Sequence, residues 1–307
     1  MEPSFRQKQF FRLRLCNFFG VAYVFSLVFT LFYVGCFKIC PELYYFSGEK
    51  STSSHNFGSC STPFYFGLFI IVELTLNFLC FHFYGSKFNR VESLSKMNAE
   101  QNFFVVHSQN AKFCDKCRKM TPHRTYHCPL CQFCVLKKDH HCFMMGGCAG
   151  YGNLRYFIVF LFWAAVGTVY GLWYILRYLH FVVGPILTSN FFSYLAPIAF
   201  LKYVAGNVSF SMSNLAIIFL LNFTFMGLLA SLAFLSLQIA FILNDRTMYE
   251  RMKCLEYSSP CERDYRRRLA QIFGKFFLLN FLCPTPFKND LDPCFSRFLD
   301  EFELKCV

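Results

Sequence analysis

Residues 114–148 read CDKCRKMTPHRTYHCPLCQFCVLKKDHHCFMMGGC, and this stretch holds seven of the 17 cysteines and four of the eight histidines in the chain. Two Cys-x2-Cys pairs, Cys114 with Cys117 and Cys128 with Cys131, each offer two thiolates from one tight turn, as structural zinc sites require. His127 lies ten positions after Cys117, and His141 lies ten after Cys131, so the spacing is duplicated. Two Cys3His sites take up Cys114, Cys117, His127, Cys128, Cys131, Cys134, His141 and Cys148, which leaves Cys142 over. So short and polar a segment has little apolar core, and bound metal is expected to hold it together.

A free thiol attacks poorly at neutral pH, because only the thiolate is nucleophilic. Asp139 and His140 stand just upstream of Cys142. An imidazole that takes the thiol proton and a carboxylate that orients the imidazole make a Cys-His-Asp arrangement, which zinc knuckles would keep rigid.

The rest of the 307 residues sets this segment in a membrane. Hydrophobic residues make up 55% of the chain, 44 of them phenylalanine, and charged residues only 16%, which exceeds ordinary globular usage. Four runs approach the roughly 20 apolar residues that a bilayer demands, at residues 16–37, 63–84, 156–176 and 215–243. The first lacks a small-x-small cleavage site and reads as a retained signal anchor. Residues 191–204 are short, contain Pro197 and end against Lys202, which fits an interfacial or re-entrant piece. Lysine and arginine set the orientation: four precede Cys16, ten lie in residues 85–154 and eleven follow residue 243, against Lys38, Lys50 and Lys202 in the other loops. Both termini and the cysteine-rich segment are therefore expected in the cytosol.

The predicted fold is an all-α integral membrane bundle of four transmembrane helices, with a cytosolic double-zinc domain between helices 2 and 3. Its parts are a tail (1–15), helices 1 and 2 with a lumenal loop (16–84), the cysteine-rich domain (85–154, core 114–148), helices 3 and 4 with a lumenal loop (155–243) and a C-terminal tail (244–307). In a reducing cytosol the cluster is metal-binding or catalytic and not disulfide-bonded. Cys36, Cys40 and Cys60 fall on the other face, where a Cys40–Cys60 bridge is one option. Asn207, Val208 and Ser209 form a sequon on that face.

A nucleophile at the membrane surface suits an amphiphilic substrate such as acyl-CoA, with its thioester at the interface, its tail in the bundle and its phosphates on Arg124, Lys137 or Lys138. From Cys114 to Phe157 the chain resembles the DHHC-type protein S-acyltransferases, or palmitoyltransferases. The likeness covers the two zinc-finger halves, Pro122, Arg124, His127 beside Cys128, the tetrad Asp139-His140-His141-Cys142, then Cys148, Asn153 and Phe157. Thr247 and Glu250 fill the first and fourth places of a Thr-Thr-x-Glu motif after the last helix.

The resemblance implies that Cys142 forms the acyl-enzyme, His140 activates it and Asp139 orients His140. It also implies one zinc on Cys114, Cys117, His127 and Cys134, and a second on Cys128, Cys131, His141 and Cys148. The enzyme would acylate itself from long-chain acyl-CoA such as palmitoyl-CoA, then pass the acyl group to cysteines of membrane-associated proteins, in the endoplasmic reticulum or Golgi. Phe143 and Met144 stand where the family has Pro and Trp, Gly146 and Gly147 where it has an Asn pair, Met248 at the second Thr, and Arg268 at a usual Asn.

Other features read more plainly. Glu73 in the second span is a functional suspect, weighed against a packing role beside a polar group such as Asn222. Gly167 and Gly171 have close-packing spacing. Residues 265–279 form a basic amphipathic helix, with Arg266, Arg267, Arg268 and Lys275 among Leu269, Ile272, Phe273, Phe276 and Phe277. Cys254, Cys261 and Cys283 are read as free thiols. Two other functions compete: a catalytically weak zinc scaffold that binds partner proteins, and a membrane-tethered nucleic-acid finger. The latter lacks ligands at finger spacing, so no nucleic-acid partner is expected.

Overall fold

The computed structural model describes residues 5–46, 60–89, 112–186, 188, 191–207, 211–255, 265–274, 279 and 284. The first helix, α1 (Phe5–Val34), runs through a π-helical turn at Gly35–Ile39 into α2 (Cys40–Phe46). There follow α3 (Ser61–Phe88), six short strands, α4 (Leu154–Val182), a 3-10 turn (Phe191–Tyr194), α5 (Ala196–Val204), α6 (Met212–Leu243), α7 (Met248–Met252) and α8 (Tyr265–Phe273). Among the described residues, four stretches are helical, long and apolar enough to cross a membrane: Phe11–Tyr45, Ser61–Gly85, Leu154–Val182 and Met212–Leu243. Each contains the whole of one run expected from hydropathy and extends it. Helix geometry explains the extension, since a helix ends where its backbone is capped and not where its apolar residues stop.

Pro197, which interrupts the 191–204 stretch, marks the start of α5, where a proline costs no backbone hydrogen bond. Of the expected amphipathic tail helix, α8 ends at Phe273: Gly274 has a φ of +74° and its amide bonds back to Ala270 O at 2.7 Å, the left-handed turn that closes a helix. Lys275, Phe276, Phe277, Cys261, Cys283, Lys50 and the Val208 and Ser209 of the sequon lie outside the described residues.

The chain packs as two compact units. One comprises Tyr23–Leu74 and Leu161–Phe234. Its core gathers Ile39, Leu43, Ile175, Tyr178, Leu179 and Ile218. Small residues allow close approach there, with Ile70 next to Gly167 and Leu31 next to Gly171. Polar groups of this unit find partners: Tyr178 donates to Glu42 Oε2 at 2.7 Å, and the Asn222 amide donates to Tyr194 O and Ile218 O. Glu73 is buried. Cys40 and Cys60 form a disulfide, the bridged option among the readings of those thiols.

The other unit comprises Met1–Ala22, Thr75–Phe160 and Leu235–Val307. Its centre is three antiparallel hairpins: β1 (Lys112–Cys114) with β2 (Lys119–Thr121), β3 (Tyr126–Cys128) with β4 (Phe133–Val135), and β5 (His140–Cys142) with β6 (Gly147–Ala149). Successive hairpins repeat at about fourteen residues, since β1, β3 and β5 begin at Lys112, Tyr126 and His140. Two-stranded ribbons this short do not stand alone in water, and the apolar cluster at their centre is small: Cys128, Val135 and Cys148 with a few neighbours. Asn153, fully buried, fastens them to the helix ends. Its Nδ2 donates to Phe81 O and Cys148 O, both at 3.0 Å, and its Oδ1 accepts from Gly150 N and Asn89 Nδ2, both at 2.9 Å. All four hydrogen-bonding positions of the amide are thus used.

Candidate active site

The hairpin repeat positions every ligand. After Cys114 and Cys128 the backbone turns sharply, with Arg118 N bonded to Cys114 O at 2.7 Å and Gln132 N to Cys128 O at 2.8 Å. Arg118 and Gln132 take φ values of +51° and +62°, which bring the second cysteine of each pair, Cys117 or Cys131, beside the first. His127 stands directly opposite Cys134, and His141 directly opposite Cys148, the closest cross-strand placement that a ribbon offers. Cys114, Cys117, His127 and Cys134 gather their ligand atoms within 4.8 Å of one another, and Cys128, Cys131, His141 and Cys148 do the same. Both groupings match the ones that the resemblance implies.

Three thiolates and an imidazole at this separation suit a tetrahedral divalent ion such as zinc. The imidazoles are oriented for it. His141 turns Nδ1 toward the sulfurs of Cys128, Cys131 and Cys148, at 3.3–3.6 Å, and bonds Nε2 to Asn17 Oδ1 at 3.0 Å. An oxygen acceptor on Nε2 fixes the tautomer that leaves Nδ1 free to ligate. Asn17 comes from α1 and carried no readable signal in the sequence.

The third hairpin departs from the repeat. Cys142 holds the place of Cys114 and Cys128, but Met145 replaces the second cysteine of the pair, so Cys142 belongs to neither metal group. Side chains alternate along a strand. In β5, His141 therefore faces the second metal group, and His140 and Cys142 share the opposite face.

Asp139 precedes that strand and is almost wholly buried, at 2% exposure. Its carboxylate Oδ2 lies 2.7 Å from His140 Nδ1 and also accepts from Gln238 Nε2 at 2.8 Å, and its Oδ1 accepts from Met248 N at 2.8 Å. Its backbone is held as well, by Asp139 N to Ala149 O at 3.0 Å and Tyr249 N to Asp139 O at 2.9 Å. The His140 ring packs edge-on against Phe157. Burial disfavours the imidazolium, but the hydrogen bond to Asp139 and the neighbouring Cys142 outweigh it, and the His140 pKa is pushed up to about 9. Its Nε2 is buried without a hydrogen bond among the described residues. Cys142 is half-buried.

The residues after the last long helix brace this arrangement. Thr247 caps α7 and Glu250 answers it, with Glu250 N bonded to Thr247 Oγ1 at 3.2 Å and Thr247 N to Glu250 Oε2 at 2.9 Å, a capping box. Met248 contributes its backbone N–H to Asp139, so the missing second threonine removes none of the contacts described here. Arg268, at the unexpected position, donates to Leu243 O at the end of α6.

Arg124, expected to meet an acyl-CoA head group, is buried at 6% exposure and bonds Glu250 through Nε and Nη2, both at 2.8 Å, and Asp245 through Nη1 at 3.0 Å. A guanidinium with its donors committed to two carboxylates is a strut. Lys137 lies 3.6 Å from Asp245 and keeps partial exposure, and Lys138 is buried, donating to His127 O beneath the Tyr249 ring.

Residues 107–255 match the family model described as DHHC palmitoyltransferase. That span is similar to the DHHC palmitoyltransferase domain. The chain is 31% identical over 184 residues to "Probable protein S-acyltransferase 12" of Arabidopsis thaliana, covering 59% of this chain and 56% of that protein. It is 28% identical over 182 residues to Palmitoyltransferase ZDHHC15 of Homo sapiens, covering 55% of this chain and 46% of the relative. It is also 31% identical over 169 residues to Palmitoyltransferase ZDHHC22 of Mus musculus, covering 53% and 60%. The chain thus spans about half the length of the curated relatives it matches. The DHHC span includes all three hairpins, α4 and α6, and reaches through the capping box at α7. Gln238, Asn17 and Asp245 are the site neighbours that sequence reasoning missed. Of these Gln238 carried a signal, as an amide well inside an apolar span, whereas Asn17 stands at the edge of one.

Proposed function

We propose that the chain is a protein S-acyltransferase that carries the acyl group on Cys142. The 2.7 Å contact of Asp139 Oδ2 with His140 Nδ1, on the strand face shared with Cys142, is the observation that carries this reading. In the first step His140 takes the Cys142 proton and the thiolate attacks the carbonyl of a long-chain acyl-CoA. The new sulfur–carbon bond replaces that to coenzyme A, whose thiolate leaves with the proton returned by His140. In the second step a substrate cysteine gives its proton to His140 and attacks the acyl-Cys142 thioester, and Cys142 recovers the proton as it leaves.

Two zinc ions would be held by the two Cys3His groups and would supply rigidity; no step of the transfer uses them. The basic segments favour a cytosolic placement of both termini and of the DHHC segment, and the resemblance favours membranes of the endoplasmic reticulum or Golgi. Substrate proteins would be those whose cysteines lie at such a surface. Lys137 remains the candidate for an acyl-CoA phosphate, since it alone of the three basic candidates keeps an exposed side.

The test is autoacylation. Purified protein incubated with palmitoyl-CoA should gain a hydroxylamine-labile acyl group, and Cys142→Ser should gain none. Equal labelling of the variant would overturn the assignment, and a parent protein that binds partners without forming a thioester would favour the scaffold.

A further inference from the structure

We infer that Gln238 is a positioning residue for the transfer, acting through Asp139; this rests on the reading of Asp139, His140 and Cys142 just given. Gln238 sits near the end of the apolar helix α6 and is 1% exposed. Its Nε2 donates to the same oxygen, Asp139 Oδ2, that holds His140 Nδ1, at 2.8 Å against 2.7 Å. A carboxylate only accepts hydrogen bonds, so the amide nitrogen and not its oxygen must face Asp139.

The other half of that amide is unsatisfied. Gln238 Oε1 is buried without a partner among the described residues. Burying an unpaired polar atom costs free energy, which an apolar residue at this position would not incur. The residue is therefore poorly explained by packing and well explained by its donor. Met248 N fixes Oδ1 from one side and Gln238 fixes Oδ2 from another, so the plane of the carboxylate is set before His140 bonds to it. With one donor removed, the carboxyl could turn about its Cβ–Cγ bond and carry the imidazole out of line with Cys142. Errors of about 1 Å in such geometry cost up to roughly 100-fold in rate.

Three substitutions separate the roles. Gln238→Met keeps the volume and removes the donor. Gln238→His restores a donor, because its Nε2 stands the same number of bonds from Cα. Gln238→Glu sets a second carboxyl against Asp139. Full-length protein in bilayer nanodiscs would be assayed for autoacylation at varied palmitoyl-CoA, for alkylation of Cys142 by a small neutral electrophile, and for zinc content.

The expected result for Gln238→Met is a fall of about ten-fold in the maximal acylation rate and in the alkylation rate, with half-saturating palmitoyl-CoA and zinc unchanged. Gln238→His should recover to within about two-fold of the parent, and Gln238→Glu should be the slowest. Parental rates in Gln238→Met, no advantage of His over Met, or a loss that follows zinc content in every variant would each overturn the inference. A parent that never acylates, but whose Cys142 alkylation keeps this order, would refute the acyltransferase and support the role of Gln238.

Discussion

At Asp139, donors from three separated parts of the chain meet one carboxylate: His140 beside it, Gln238 in α6 and the Met248 amide at the start of α7. The residue can thus be neither shortened nor neutralised without loss. Asp139→Asn keeps the size but turns one acceptor oxygen into a donor, and autoacylation should fall on the order of 10³-fold while zinc is retained. Acyl uptake measured beside elemental analysis checks this. Met248 makes the opposite case: its contact is through the backbone, so Met248→Ala and Met248→Thr should both acylate within about two-fold of the parent. A large loss in either would show that the side chain matters.

Among the elements, the third hairpin and α7 carry the most consequence. The turns of hairpins one and two each carry a ligating cysteine pair, and the third hairpin supplies His141 and Cys148 but, with Met145 where a second cysteine would stand, is left with a free thiol on a braced strand. Metal analysis should find two zinc ions per chain, and strong chelation should unfold the unit that contains the hairpins, as loss of far-ultraviolet circular dichroism and rapid proteolysis within residues 112–149 would report. A helix as short as α7 has little stability of its own and depends on its capping box and on the Glu250–Arg124 pair. Glu250→Ala strips a buried guanidinium of a partner and should cost about 3–5 kcal/mol, visible as a lower thermal midpoint in detergent. Asp245 would still hold Arg124, so the lower end of that range is expected.

For the whole molecule, the proposed orientation can be tested at its cysteines. Cys40 and Cys60 are bridged, as suits an oxidising compartment, and Cys254 is a free, exposed thiol just beyond α7. In sealed vesicles with the cytosolic face outward, a membrane-impermeant maleimide should label Cys254, and should label Cys40 and Cys60 only after reduction and permeabilisation. Labelling of Cys254 only after permeabilisation would invert the proposed topology.

The sequence alone determined what depends on composition and spacing. Apolar run length specified four spans, because a bilayer enforces it. The ten-residue recurrence of cysteine and histidine specified eight ligands for two sites, because metals demand fixed donors at short range, and the resemblance implied how they divide between the sites. Subtracting eight ligands then isolated Cys142. What only the tertiary structure decided involves partners far apart in the chain: Gln238 reaches Asp139 across 99 positions, Arg124 reaches Glu250 across 126, and Asn17 reaches His141 across 124. Arginine in a basic segment reads as a surface charge until the buried carboxylates that surround it are known. The physical reason is that hydropathy and ligand spacing are local properties of the chain, whereas the satisfaction of a buried polar group depends on which distant donor the packing brings to it.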